Sequence, residues 1–114
     1  MINNVHRIVE HVDDSIVHKK ILSSKSGSIT VFAIADDESI AEHKNRHCEY
    51  VYVLSGIIEL QVEDRQYLLE KGALYSIKAN TLHTVNGYQS GKFALIILKN
   101  KRENESGRQK IKSV

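Results

Sequence analysis

The stretch Glu49-Tyr50-Val51-Tyr52-Val53-Leu54-Ser55-Gly56 decides the fold. β-Branched and aromatic residues dominate it and alternate with a period of two. In an extended chain, successive side chains leave on opposite faces. Glu49, Val51 and Val53 therefore share one face, and Tyr50 and Tyr52 the other. The first face passes from a carboxylate into apolar filling, the profile of a small barrel's interior. The tyrosines on the second suit a sheet-to-sheet or subunit contact. Gly56 marks a turn.

Strand signals continue outward in both directions. Residues 57–62 follow the turn, Glu63-Asp64 makes a tight polar bend, and residues 65–69 return as a hairpin partner. Gly72 opens a strand at 73–77. Residues 81–85 form another ahead of an Asn86-Gly87 turn, and residues 92–98 make the last long strand. Upstream, residues 16–22 and 28–34 read as strands around a turn at 23–27, with a loop at 36–38. Many short strands with turns about every 8–12 residues predict a sandwich or closed barrel. At the N-terminus, Val5, Ile8, Val9 and Val12 form one face of a short helix over residues 4–12 capped by Asn4, a strand being the alternative.

With 114 residues, no proline, no repeat and no low-complexity linker, the chain reads as one domain able to bury a core without staples. Its single cysteine allows no intrachain disulfide, which fits a reducing compartment. The first twenty residues hold neither an apolar signal core nor a membrane span, so the cytoplasm is the expected location. The net charge of +2 is uneven. Residues 99–114 carry six lysines and arginines against Glu103 and Glu105, which leaves residues 1–98 at −2. No aromatics interleave with those charges as a nucleic-acid stacking surface requires. The expectation is one domain over 1–98 and a solvated, frayed basic tail over 99–114, without a nucleic-acid or membrane partner.

Chemistry concentrates in His43-Lys44-Asn45-Arg46-His47-Cys48-Glu49. If this segment is extended, His43, Asn45, His47 and Glu49 lie on one face, and Lys44, Arg46 and Cys48 on the other. Imidazole and carboxylate together suit a divalent transition metal, and two histidines with one carboxylate leave coordination positions open. Taken alone, the segment fits solvated loop histidines equally well. Cys48 reads as a packed or partly exposed thiol. His6, His11 and His18 have no ligand-type neighbours at metal spacing and read as surface residues. No nucleophile elbow, phosphate-cradling loop or CxxC pair is present.

Read together with Gly56, Gly72 and His83, the cluster resembles the two motifs of the cupin superfamily, and in particular its small single-domain bacterial members. The resemblance spans roughly residues 5–98. It implies an all-β, cupin-type double-stranded β-helix (a jelly-roll barrel) with a divalent metal inside, such as Fe, Mn, Ni, Cu or Zn. The family's first-motif histidine pair, H-x-H, falls on His43 and Asn45. Asparagine is a poor ligand for such metals, and His47, on the same face, is expected to replace it. The ligand set is then His43, His47, Glu49 and His83, with Asn45 beside it. In the second motif, Lys78 stands for the family's proline. Asn80 stands for its glycine and tolerates a left-handed backbone. A weaker local similarity to ectoine synthase implies Glu49, Tyr75 and His83 around an iron. That makes Tyr75 a further pocket residue, although a barrel-core tyrosine is the favoured reading. Two functions follow from the resemblance. One is a metal-dependent oxygenase, isomerase or lyase acting on a small polar organic molecule. The other is a non-catalytic barrel that binds or senses such a ligand. The family also implies a homodimer.

Overall fold

The computed structural model describes residues 2–99, which form seven antiparallel strands and, among those residues, no helix. The strands are β1 (Ile16–Ser24), β2 (Gly27–Ile34), β3 (Ser39–His43), β4 (Cys48–Val62), β5 (Arg65–Glu70), β6 (Leu74–Ile77) and β7 (His83–Leu98). They pair in the order β1-β2-β7-β4-β5, with β3 beside β7 and β6 beside β4. The basic residues from 100 onward lie outside the described residues.

Two long strands organise the molecule. The second half of β7 pairs with the first half of β4, and its first half with the end of β4. Each strand thereby borders different neighbours along its length, which wraps the sheet around a single interior. Ile34, Val51, Val53, Ile58, Leu60, Val62, Ile77, Val85 and Phe93 fill that interior. Along β4 the inward positions are odd up to Val53 and even from Ile58 onward. A two-residue period cannot change parity without an extra residue. The register shifts between Val53 and Ile58 supply it, so both halves of β4 face inward. Gly56 sits at this bulge with φ of 68°, and a Cβ there would run into the Ser90 carbonyl. The turn read at Gly56 is therefore a bulge inside one continuous strand.

Two other expectations change. Asn86-Gly87 makes no turn, because β7 runs straight through it. The glycine serves close approach: Asp37 N–H donates to Gly87 O at 3.0 Å, Gly87 N–H donates to Glu38 O at 2.8 Å, and a Cβ would collide with the Ala35 carbonyl. The N-terminal segment forms no helix either. It makes a single turn in which Arg7 N–H donates to Asn4 O at 3.0 Å, while the Asn4 side chain accepts from His6 N–H at 3.1 Å. Asparagine closing its own turn competes with helix propagation, and one turn of helix is marginal in any case. The apolar residues of the segment do their work differently. Val5, Ile8 and Val9 lie on the outer face of the sheet against Val31, Ala33 and Ala94, a second small core. Val12 does not join them and stays half exposed.

Candidate metal centre

Three strand ends converge at one end of the interior. His43 closes β3 and is the cross-strand partner of His83, which opens β7. Glu49, the second residue of β4, lies between Ile77 and Ile97 of the flanking strands. Strand alternation carries Glu49 inward with Val51 and Val53, and Glu49 and His83 are each only 2% exposed. Ligand atoms of His43, Glu49 and His83 all lie within 4.8 Å of one another.

Backbone carbonyls set the orientation of both imidazoles. His43 Nδ1 is 2.9 Å from Ala41 O, and His83 Nδ1 is 2.9 Å from Thr81 O, in each case the carbonyl two residues earlier. A carbonyl only accepts, so each Nδ1 carries the proton and each Nε2 presents its lone pair to the interior. Fixing the far nitrogen in this way is how a protein orients a histidine ligand. The two rings lie 4.2 Å apart, tilted by 60°. His83 Nε2 is 2.7 Å from Glu49 Oε1, and His43 Nε2 is 3.9 Å from the same oxygen.

That 2.7 Å contact has a chemical consequence. With His83 protonated on Nδ1 alone, Oε1 is a buried acceptor that no donor reaches, facing a lone pair. A proton held between the two atoms, or a metal ion, removes the conflict. The electrostatics agree. Burial pushes the His83 pKa down, but its hydrogen bond to Glu49, the Thr81 carbonyl and the Glu49 charge outweigh this and raise it above 6.5. Burial pushes Glu49 up, yet His83, Asn45 and His43 together lower it below 4.5. The donor set of two oriented Nε2 atoms and one buried carboxylate oxygen therefore fits a divalent transition metal.

Of the residues expected at the centre, the structure brings together His43, Glu49 and His83, and His47 is not in that group. The extended reading of 43–49 fails after His43, because residues 44–47 form a loop. Asn45 is the physical reason. Its Oδ1 accepts from His47 N–H at 2.9 Å, an Asx-type turn that cancels the strand alternation on which the placement of His47 rested. Asn45 itself does reach the centre, where its Nδ2 donates to Glu49 Oε2 at 3.2 Å. Tyr75 lies on the inner face opposite Val51, packed against the interior core with its ring 5.1 Å from that of Tyr67. Burial and the Tyr67 hydroxyl raise its pKa above 10, so it is a neutral hydroxyl at physiological pH. Asn80 takes the left-handed backbone expected of it, at φ of 63°. The orienting carbonyls of Ala41 and Thr81 have no signal in the sequence, since every residue carries one.

An antiparallel β-barrel with metal-type donors gathered inside one end defines the class of protein. Residues 30–98 match the family model of the cupin domain, more than half of the chain, and the chain belongs to that family. No curated protein sequence matches it. Among solved structures, it is similar to a conserved protein of unknown function from Streptococcus pyogenes, with a TM-score of 0.83 and 19% identity, over 90% of each chain. A cupin superfamily protein from Desulfitobacterium hafniense superposes with a TM-score of 0.77 at 21% identity, over 81% of this chain and 84% of that one. A cupin 2 conserved barrel domain protein from Leptotrichia buccalis gives a TM-score of 0.82 at 26% identity over 85% of this chain, which spans 47% of that longer chain.

Proposed function

We propose that this cupin holds one divalent transition metal on His43, Glu49 and His83 and acts there on a small polar organic molecule. One observation carries the reading. Two imidazoles, each locked at Nδ1 by a backbone carbonyl, aim Nε2 at one oxygen of a buried carboxylate. A structural ion pair needs one such histidine; a second, oriented by the same device, serves a metal. Bound at these three atoms, a cation supplies a Lewis acid with positions left open for a ligand oxygen. The protein's own residues do the rest. His43, with its side chain 39% exposed, borders solvent and marks the side on which a ligand reaches the centre. Tyr67 and Tyr75, their rings 5.1 Å apart, pack against the interior and add aromatic surface to the inner wall. Oxygenation, isomerisation and elimination all suit such a centre.

Elemental analysis after expression in metal-supplemented medium tests the reading. About one metal per chain is expected, and His83→Ala should abolish it. Substoichiometric metal that survives His83→Ala would remove the proposal. A small acid or sugar that raises the melting temperature and is recovered unchanged from the metal-loaded protein would favour a sensor over an enzyme.

We also propose that two copies pair through the outer sheet face. Leu22, Ile29, Ile96 and Tyr50 are successive cross-strand neighbours there, and Val31, Ala94, Tyr52 and Leu74 form the next row. The N-terminal segment covers Val31 and Ala94 but leaves Leu22 56%, Tyr52 40% and Leu74 60% exposed. Five strands about 4.8 Å apart make a patch roughly 20 Å across and on the order of 500 Å². That approaches the roughly 800 Å² each partner contributes to a standard interface. The one charge in these two rows is Lys19, beside Val31 on the edge strand β1; the rest is an uncharged apolar face, complementary to its own copy.

A further inference from the structure

Asn45 occupies the corner of the centre where the family pattern has its second histidine, and the structure gives that substitution a job. Its side-chain amide is held at both ends. Nδ2 donates to Glu49 Oε2 at 3.2 Å, and Oδ1 accepts from His47 N–H at 2.9 Å. Only one amide orientation satisfies an acceptor on one side and a donor on the other, so the assignment of nitrogen and oxygen is fixed by the neighbours. Turning Oδ1 toward a metal would break both bonds at once. The Asn45 backbone is held as well, because its carbonyl accepts from Asn80 N–H at 2.6 Å. Asn80 is the left-handed residue three positions before His83. One residue thus ties the loop between His43 and Glu49 to the loop that delivers His83.

The Glu49 carboxylate is divided by this arrangement. Oε1 faces both histidine Nε2 atoms, while Oε2 is occupied by the Asn45 amide. We infer that Asn45 is a positioning residue that keeps Glu49 a one-oxygen ligand and holds the fourth protein corner of the metal free, reserving it for an exogenous anionic oxygen or nitrogen donor. The inference rests on the metal reading above and deepens it. It assigns the centre three protein ligands and a ligand class that replaces the missing imidazole.

The test loads Co²⁺ into the full-length protein and follows its visible spectrum and its affinity for azide, the probe for an added donor. Two variants place a fourth ligand at the corner: Asn45→His, and the nearly isosteric Asn45→Asp, which keeps an oxygen for His47 N–H and so preserves the loop. Both should slow Co²⁺ loss to EDTA by about tenfold or more, change the visible spectrum, and weaken azide binding by about tenfold. A merely structural Asn45 would alter melting temperature without moving the azide titration. If wild type takes up Co²⁺ but neither variant changes the spectrum or azide affinity, the inference is overturned and the metal site stands. If wild type takes up no Co²⁺ at all, the metal reading fails first and takes this inference with it.

Discussion

Replacing His83 by alanine in the metal-free protein should destabilise it by an amount that depends on pH. The change removes the group 2.7 Å from Glu49 Oε1 and leaves that oxygen buried without a cation. Breaking a buried pair by deleting one partner costs about 3–5 kcal/mol. Here Glu49 retains Asn45 on its other oxygen, and the half-exposed His43 lies 3.9 Å away, so water approaches closely and the lower end, about 3 kcal/mol, applies. The pH window follows from the two shifts. The His83 pKa is raised, so its stabilisation is complete below the ordinary 6.5 and is lost as pH rises through the higher folded value. The Glu49 pKa is lowered, so its stabilisation is complete above the ordinary 4.5 and is lost as pH falls through the lower folded value. Both contributions are in force between 4.5 and 6.5. Urea denaturation in EDTA at pH 5.5 and pH 9 measures the difference. His83→Ala should cost about 3 kcal/mol at the lower pH and less at the higher one, because the stabilisation His83 gives the parent protein declines as pH rises above 6.5 toward and through its raised folded pKa. An equal cost at both values would mean that only imidazole packing was lost, and the ion pair would have no part in stability.

The same proton competes with a metal. Apparent Zn²⁺ or Co²⁺ affinity should fall on acidification from pH 8 to pH 6, by up to about tenfold per unit where His83 is protonated. Calorimetric titrations in this range check it, and a flat profile would contradict the assignment of His83 as a ligand. Gly56→Ala places a side chain at φ of 68° and against the Ser90 carbonyl. It should cost about 2 kcal/mol or more in thermal unfolding, and an unchanged melting temperature would show that the bulge is not required. Tyr52→Glu puts a charge in the centre of the outer apolar face and should convert a dimer to a monomer in light scattering. A parent protein that is already monomeric would discard the proposed face.

What the sequence disclosed and what it concealed divide along one line. Period-two alternation located β4 and placed Glu49, Val51 and Val53 inward, because burial on one face requires that pattern. The resemblance of His43, Glu49, Gly56, Gly72 and His83 to the cupin motifs then implied that His43 and His83 lie near Glu49. The misreadings all involve residues whose side chain or missing side chain acts on the backbone. Asn-Gly at 86–87 has the composition of a tight turn, yet the glycine is there so that the Ala35 backbone can approach. Asn4 has the composition of a helix cap, yet it closes a single turn. On an extended face Asn45 reads as a poor ligand and a pocket residue beside the metal set, but its amide ends the extension and removes His47 from the place that alternation gives it. Composition names the tendency of an asparagine to bond locally, but which backbone group it captures depends on chain segments distant in sequence. At 45, the distant partners are Glu49 and the Asn80 turn, so the residue that looked like a lost ligand is the one that joins the two halves of the centre.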